Sequence, residues 1–151
     1  MYIKRAAVIG SGTMGADIAY VIASAGIPVV MKDIDEGALN RAAGHIADLF
    51  QGRVARGRMS AEDADSLKNL IVYTTSDAAL ADVSLAIEAV SENMAVKKRV
   101  FQDLDRLLPA LSLIVSNTSA LSISELAGVT GRPDRVAGFH FFYPAHMMKL
   151  I

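Results

Sequence analysis

Three glycines in the run Gly10-Ser11-Gly12-Thr13-Met14-Gly15 stand where an apolar, β-branched stretch gives way to a helical pattern. At such a junction the first glycine permits a tight reversal, the second lets a ligand approach the main chain, and the third lets helix pack closely on strand. The helix start behind them offers unpaired N–H groups and the positive end of its dipole to an anion. Asp33 follows a second apolar run, about 20 residues beyond the turn, the offset at which a carboxylate takes the ribose hydroxyls of a dinucleotide. A carboxylate there accepts from a 2′-OH and repels a 2′-phosphate, which favours NAD over NADP. A glycine turn alone also reads as a simple tight connection; the ordered set of strand, turn, helix, strand and acid makes it a nucleotide site.

Further polar residues recur at the ends of later apolar runs. Glu88 interrupts one such run near its end, with Ser91-Glu92-Asn93 next and Lys97 one helical turn on. Ser116-Asn117-Thr118-Ser119 closes another, and His140 lies inside a run from Arg135 to Phe142 that leads into Tyr143-Pro144. In a doubly wound sheet these ends face the ligand crevice. Plain alternatives stand beside each: a solvated strand end with Asn93 capping a helix, an exposed helix lysine at Lys97, a polar loop at 116–119, and a core histidine at 140. His140 is nevertheless the best general-base candidate, because an imidazole titrates near pH ~6.5, close to working pH. His45 and His146 have no comparable setting.

The elements that must carry these residues follow from periodicity. Strands are predicted over 3–9, 28–31, 71–74, 83–90, 113–115 and 135–142. Helices are predicted over 16–25, over 36–56 with Leu39, Ala43, Ile46, Phe50 and Val54 on one stripe, from Ser60 through Leu70, and from Asn93 through Leu108 with Val96, Val100, Leu104 and Leu107 inward. Ser76 and Ser122 open short helical turns. The alternation predicts an α/β fold: a Rossmann-type, doubly wound, mostly parallel sheet with a helical insertion after the second strand. Arg53, Arg56 and Arg58 gather at the end of the long helix, where they complement its dipole or form a docking patch for a phosphate-rich substrate such as coenzyme A.

The totals exclude other classes. The 151 residues suit one domain, and 52% apolar with 21% charged residues fits a packed chain rather than a disordered one. Fifteen basic against 16 acidic residues argue against a nucleic-acid surface. With no cysteine there is no disulfide, thiolate metal site or cysteine nucleophile, and no metal is expected. The longest apolar stretch, 20–31, is broken by Ser24, Gly26 and Pro28 and is too short to span a membrane. With no cysteine, cytoplasm is the default setting, and the same composition also suits a mitochondrial matrix.

Taken together, GSGTMG, VVMKDID, AIEAVSENMAVKKRVFQDLD, SNTSALSISELA and AGFHFFYPAHMMKLI resemble, in order and nearly end to end, the L-3-hydroxyacyl-CoA dehydrogenases of fatty-acid β-oxidation. The IKRAAVIG start and VVMKDID are most similar to the dehydrogenase part of bacterial multifunctional enzymes. The resemblance implies oxidation of a 3-hydroxyacyl-CoA to the 3-ketoacyl-CoA with NAD as cofactor. It places Met14, Asp33, Ser91, Glu92, Asn93, Lys97, Asn117 and Ser119 at the cofactor beside the glycine loop, Tyr143 near the nicotinamide, Ser119 also at the substrate hydroxyl, and His140 as the base. It further implies an acyl-CoA partner for Ser119 and His140, to which the arginine cluster adds Arg56 as a substrate contact, and a parent that is a homodimer or a subunit of a β-oxidation complex. The resemblance also points to a bacterial cytoplasm.

Three departures from the family pattern carry expectations. Tyr143 replaces an asparagine. Asp17 replaces a small residue and sets a negative charge near the pyrophosphate. The glutamate that polarises the family's histidine would follow Ile151, and the helical C-terminal domain lies beyond it, so the chain is expected to be the cofactor-binding half, inactive alone. The alternatives are a non-catalytic dinucleotide module and a 3-hydroxybutyryl-CoA dehydrogenase of short-chain metabolism.

Overall fold

Six short parallel strands pair in the order β3-β2-β1-β4-β5-β6, where β1 is Ala6–Ile9, β2 Val29–Lys32, β3 Ile71–Thr74, β4 Leu85–Glu88, β5 Leu113–Ser116 and β6 Val136–Gly138. This computed structural model describes residues 2–148 and 151. Met1, whose lead into the first strand the sequence suggests, and Lys149-Leu150 of the last motif lie outside them. β1 is central: Ala6 pairs with Val29 on one side and Leu85 on the other. The chain builds outward through β2 and β3, then returns to the other side of β1, which leaves a crevice beyond the ends of β1 and β4.

Helices cover both faces, and the side-chain period of two divides the core accordingly. Ala6, Val8, Val29, Met31 and Ile71 pack under α1 (Thr13–Ser24) and α2 (Glu36–Ala55). Ala7, Ile9, Val30, Ala86 and Ile114 pack on the other side, with Phe101 and Leu104 of α4 (Met94–Leu107) and Leu126 of α5 (Ile123–Ala127). The insertion after β2 is α2 followed by α3 (Ala61–Lys68), as the pattern predicts. Side-chain caps start the helical segments where the sequence places them: Ser60 accepts from Asp63 N–H, Asn93 from Val96 N–H, Ser122 from Glu125 N–H, and Ser76 from Ala78 N–H.

Three expectations need correction. The first strand begins at Ala6 rather than Ile3, because Lys4 and Arg5 donate their N–H groups to the Ser84 hydroxyl instead of to a ladder. The last strand is three residues long rather than eight. β5 ends at Ser116, whose carbonyl accepts from Phe139 N–H at 2.9 Å, and the next contact, from Phe141 N–H at 2.8 Å, goes to the Asn117 side chain. His140 therefore sits in an irregular segment past the sheet. In α4 Leu104 is buried as predicted and Val100 and Leu107 pack partly buried on the same core, but Val96 is 40% exposed, and the other fully buried side chains are Lys97 and Phe101.

Candidate functional site

The glycine turn has the shape its composition predicts. Gly10 has φ +100°, and a Cβ on it would lie 2.7 Å from the Ala89 carbonyl oxygen. A Cβ on Gly15 would lie 1.9 Å from the Gly10 carbonyl oxygen, so α1 and the turn touch backbone to backbone. Gly12, by contrast, faces open space. Gly15→Ala is expected to force the helix off the turn, costing about 1–3 kcal/mol. Urea unfolding combined with an NADH titration checks this, with both the midpoint and the affinity falling.

Asp33 is tied directly to the turn: its Oδ2 accepts from both the N–H and the hydroxyl of Ser11, each at 2.7 Å. Burial pushes this carboxyl up, but the hydrogen bonds from Ser11, Asp35 and Ile34 outweigh it and hold the group below its ordinary value. An anionic carboxylate is thus fixed at the lip of the crevice, with lone pairs remaining for further donors.

A cavity of about 580 Å³ opens here, lined by Gly10, Ser11, Gly12 and Asp33, by Ser91, and by Val96, Val100, Leu104 and Leu107. The predicted inward stripe of α4 is therefore in large part a cavity wall. Its hydrophobicity is real, but it faces a ligand-sized space.

The neighbouring stripe carries Lys97, which is 1% exposed rather than solvated. Its Nζ lies 2.7 Å from Glu88 Oε1 and 3.2 Å from Glu92 Oε2. Glu88 is fully buried; it also accepts from Val90 N–H at 2.8 Å and from the Ser116 hydroxyl at 2.5 Å. Glu92 accepts from the Thr118 hydroxyl. Slight burial raises its carboxyl, and the Thr118 hydrogen bond with the Lys97 charge more than reverses this, so it lies below its ordinary value. The ends of β4 and β5 and the start of α4 are thus fastened by one polar network.

Beside that network is a second cavity, of about 360 Å³, which brings together Met14, Glu92, Lys97, Asn117, Ser119, His140 and Tyr143. The His140 ring rests against Phe142, with centroids 4.9 Å apart, and Tyr143 is 67% exposed at the rim. Of the other sequence candidates, Thr13 begins α1, Gly15 packs it, and Asn93 caps α4; none of the three lines either cavity. Arg56 lies apart from both, in a cavity of about 790 Å³ with Arg53 and Arg58.

Residues 5–151 match the family described as 3-hydroxyacyl-CoA dehydrogenase, NAD binding domain. The chain belongs to this family. It is 44% identical to the 3-hydroxyadipyl-CoA dehydrogenase of Escherichia coli K12, covering 99% of this chain and 31% of that protein. It is 40% identical to a fatty acid oxidation complex subunit alpha of Pseudomonas savastanoi, again over 99% of this chain and 21% of that protein. A crystal structure of 3-hydroxybutyryl-CoA dehydrogenase from Escherichia coli K12 superposes with a TM-score of 0.96 at 44% identity, covering 99% of this chain and 32% of that one. The chain therefore spans between about a fifth and a third of the length of these relatives.

As a 3-hydroxyacyl-CoA dehydrogenase NAD-binding domain, the chain takes NAD as its cofactor, and the open face at Gly12 beside the Asp33 carboxylate fits a diphosphate with an adjoining ribose. One departure from the family pattern resolves differently from expectation. Asp17 does not face the pyrophosphate side: it is 1% exposed, and its carboxylate receives His45 Nε2 at 2.8 Å and His146 Nδ1 at 2.9 Å. The two histidines without an evident setting in the sequence thus share one. The signal was an acid inside an apolar helix, which implies a partner without saying which.

Proposed function

We propose that this chain is the cofactor-binding part of an enzyme that oxidises L-3-hydroxyacyl-CoA to 3-ketoacyl-CoA in fatty-acid β-oxidation. The observation that carries the reading is the convergence of His140, Ser119 and Asn117 in one cavity with Met14 and the Glu92–Lys97 pair, next to the glycine turn. Bound NAD supplies the hydride acceptor. Gly10, Ser11, Gly12 and the start of α1 hold its diphosphate, Asp33 accepts from its ribose, and Ser91, Glu92, Lys97 and Asn117 border it. His140 takes the proton of the 3-hydroxyl while Ser119 donates to the same oxygen, so charge on that oxygen stays balanced as the carbonyl forms. Phe141, Phe142 and Tyr143 line the same cavity as the imidazole.

The arginine-lined cavity fits the phosphates of coenzyme A. Arg56 lies over Gly52, where a Cβ would come within 3.3 Å of its guanidinium. Arg56→Gln is expected to raise the KM for acetoacetyl-CoA severalfold and leave the NADH affinity unchanged, in keeping with a ceiling of about 1 kcal/mol for an exposed charge contact.

Acyl-CoA as substrate, a cytoplasmic location, and assembly as a dimer or within a β-oxidation complex belong to the same proposal, as does a helical domain that completes the catalytic unit. The test is NADH oxidation driven by acetoacetyl-CoA in the full-length polypeptide. Tight NADH binding with no turnover would overturn the proposal in favour of a dinucleotide-binding module. Asp17 lends that alternative no support, because it is held on the side of α1 that meets His45 and His146.

A further inference from the structure

The Asp17 cluster joins three parts of the chain that are far apart in sequence. Asp17 is on α1, His45 on α2, and His146 on the segment that follows β6. A carboxylate only accepts, so both ring nitrogens facing it carry hydrogen: Nε2–H on His45 and Nδ1–H on His146. Each bond exists whether or not the ring bears a second proton. Burying a carboxylate to 1% exposure is costly unless its oxygens are satisfied, and here each oxygen receives one imidazole.

His146 is held in one orientation by more than that bond. Its ring meets Tyr20 edge-on, with centroids 6.2 Å apart and planes at 89°, and Tyr20 packs on Phe50 at 4.7 Å. Ala145 is buried beside it in the same apolar cluster. Upstream, Phe141 is buried in that cluster with Phe139 packed against it, and among the described residues the hydrogen bonds flanking His140 are Phe139 N–H to Ser116 O and Phe141 N–H to the Asn117 side chain. Beyond Phe141, the exposed Phe142, Tyr143, Met147 and Met148 contribute little packing. Among the described residues, the bond from His146 to Asp17 is the side-chain polar tie that fixes the far end of this stretch to the helical layer.

We infer that Asp17 and His146 form a staple that positions His140: it fastens segment 139–148 to α1, so that the imidazole keeps its place across from Ser119. Both are positioning residues, whereas His45 satisfies the other carboxylate oxygen from α2 and, among the described residues, makes no hydrogen bond to the segment. The inference rests on the proposed dehydrogenase reading for its kinetic consequence, but the fastening itself is a property of the chain.

The test uses His146→Leu, His146→Asn, Asp17→Ala and His45→Leu in the full-length protein. A misplaced catalytic group costs about ten- to a hundredfold in rate, so His146→Leu and Asp17→Ala are expected to lower kcat by that range with the KM for NADH unchanged. His146→Asn, which restores an N–H donor near the Nδ1 position, should recover most of the loss, and the double variant Asp17→Ala/His146→Leu should be no slower than the worse single variant. His45→Leu should lower the unfolding temperature while kcat stays close to that of the parent. Amide hydrogen exchange over residues 139–148, independent of turnover, should quicken in His146→Leu and not in His45→Leu. Unchanged exchange in His146→Leu, or equal kcat losses in His146→Leu and His45→Leu, would overturn the staple. Absence of turnover in the parent with quickened exchange in His146→Leu would instead overturn the dehydrogenase reading and leave the fastening standing.

Discussion

Replacing His140 by asparagine is expected to lower kcat for acetoacetyl-CoA reduction by about 10²–10⁴, the usual contribution of a positioned proton donor or acceptor. The affinity for NADH should hardly change. His140 lines one cavity with Ser119 and Asn117, whereas the glycine turn, Ser11 and Asp33 line the other. On the proposed reading, removing the imidazole would take away proton transfer and leave the groups proposed to hold the diphosphate and ribose in place. Steady-state kinetics in the full-length polypeptide, together with an NADH fluorescence titration, separate the two. The loss should fall on kcat and kcat/KM equally, the signature of an interaction made only in the transition state. A variant that instead bound NADH poorly would show that His140 supports the cofactor rather than the hydroxyl.

How far the sequence could be read follows from how local each determinant is. The glycine turn, Asp33 and the serine and asparagine caps depend on neighbours a few residues away, and their sequence signatures survive intact in the structure. Strand ends depend on what lies opposite. Nothing in Ile3 to Arg5 foretells that the Ser84 hydroxyl will take the place of a ladder partner, and nothing in 139–142 foretells that β5 stops at Ser116. The phase of α4 was hidden for another reason. A hydropathy pattern assigns Val96 and Val100 inward and Lys97 outward, yet a lysine goes inside when a carboxylate waits there, and valines line a cavity when a ligand is to fill it. The Asp17 cluster lies furthest from legibility. Its partners are 28 and 129 positions away, and only the oddity of an acid among Ile18, Ala19 and Tyr20 marks it.

The second large effect belongs to the lysine that the hydropathy pattern misassigns. Lys97→Met is expected to destabilise the domain by about 3–5 kcal/mol, because it leaves the Glu88 carboxylate buried without its counter-charge. Glu88 is fully enclosed, and its remaining partners, Val90 N–H and the Ser116 hydroxyl, are neutral donors. Glu88→Gln should also destabilise, through the stranded Lys97 ammonium, which keeps Glu92 at 3.2 Å as a second carboxylate and so suffers less. The double variant Glu88→Gln/Lys97→Met removes both charges and is expected to recover much of the loss, since the cost of each single change is a solitary buried ion rather than a missing attraction. Urea midpoints for the four proteins close this cycle. Simple addition of the two single effects would show that the pair acts as separate packing elements. A strong recovery would show that the two residues are coupled, and that each single loss is the cost of an unpaired charge left inside the fold. Because the same network borders the cavity holding Ser119 and His140, the recovered double variant should still bind NADH less tightly than the parent: its fold restored, its cationic lining lost.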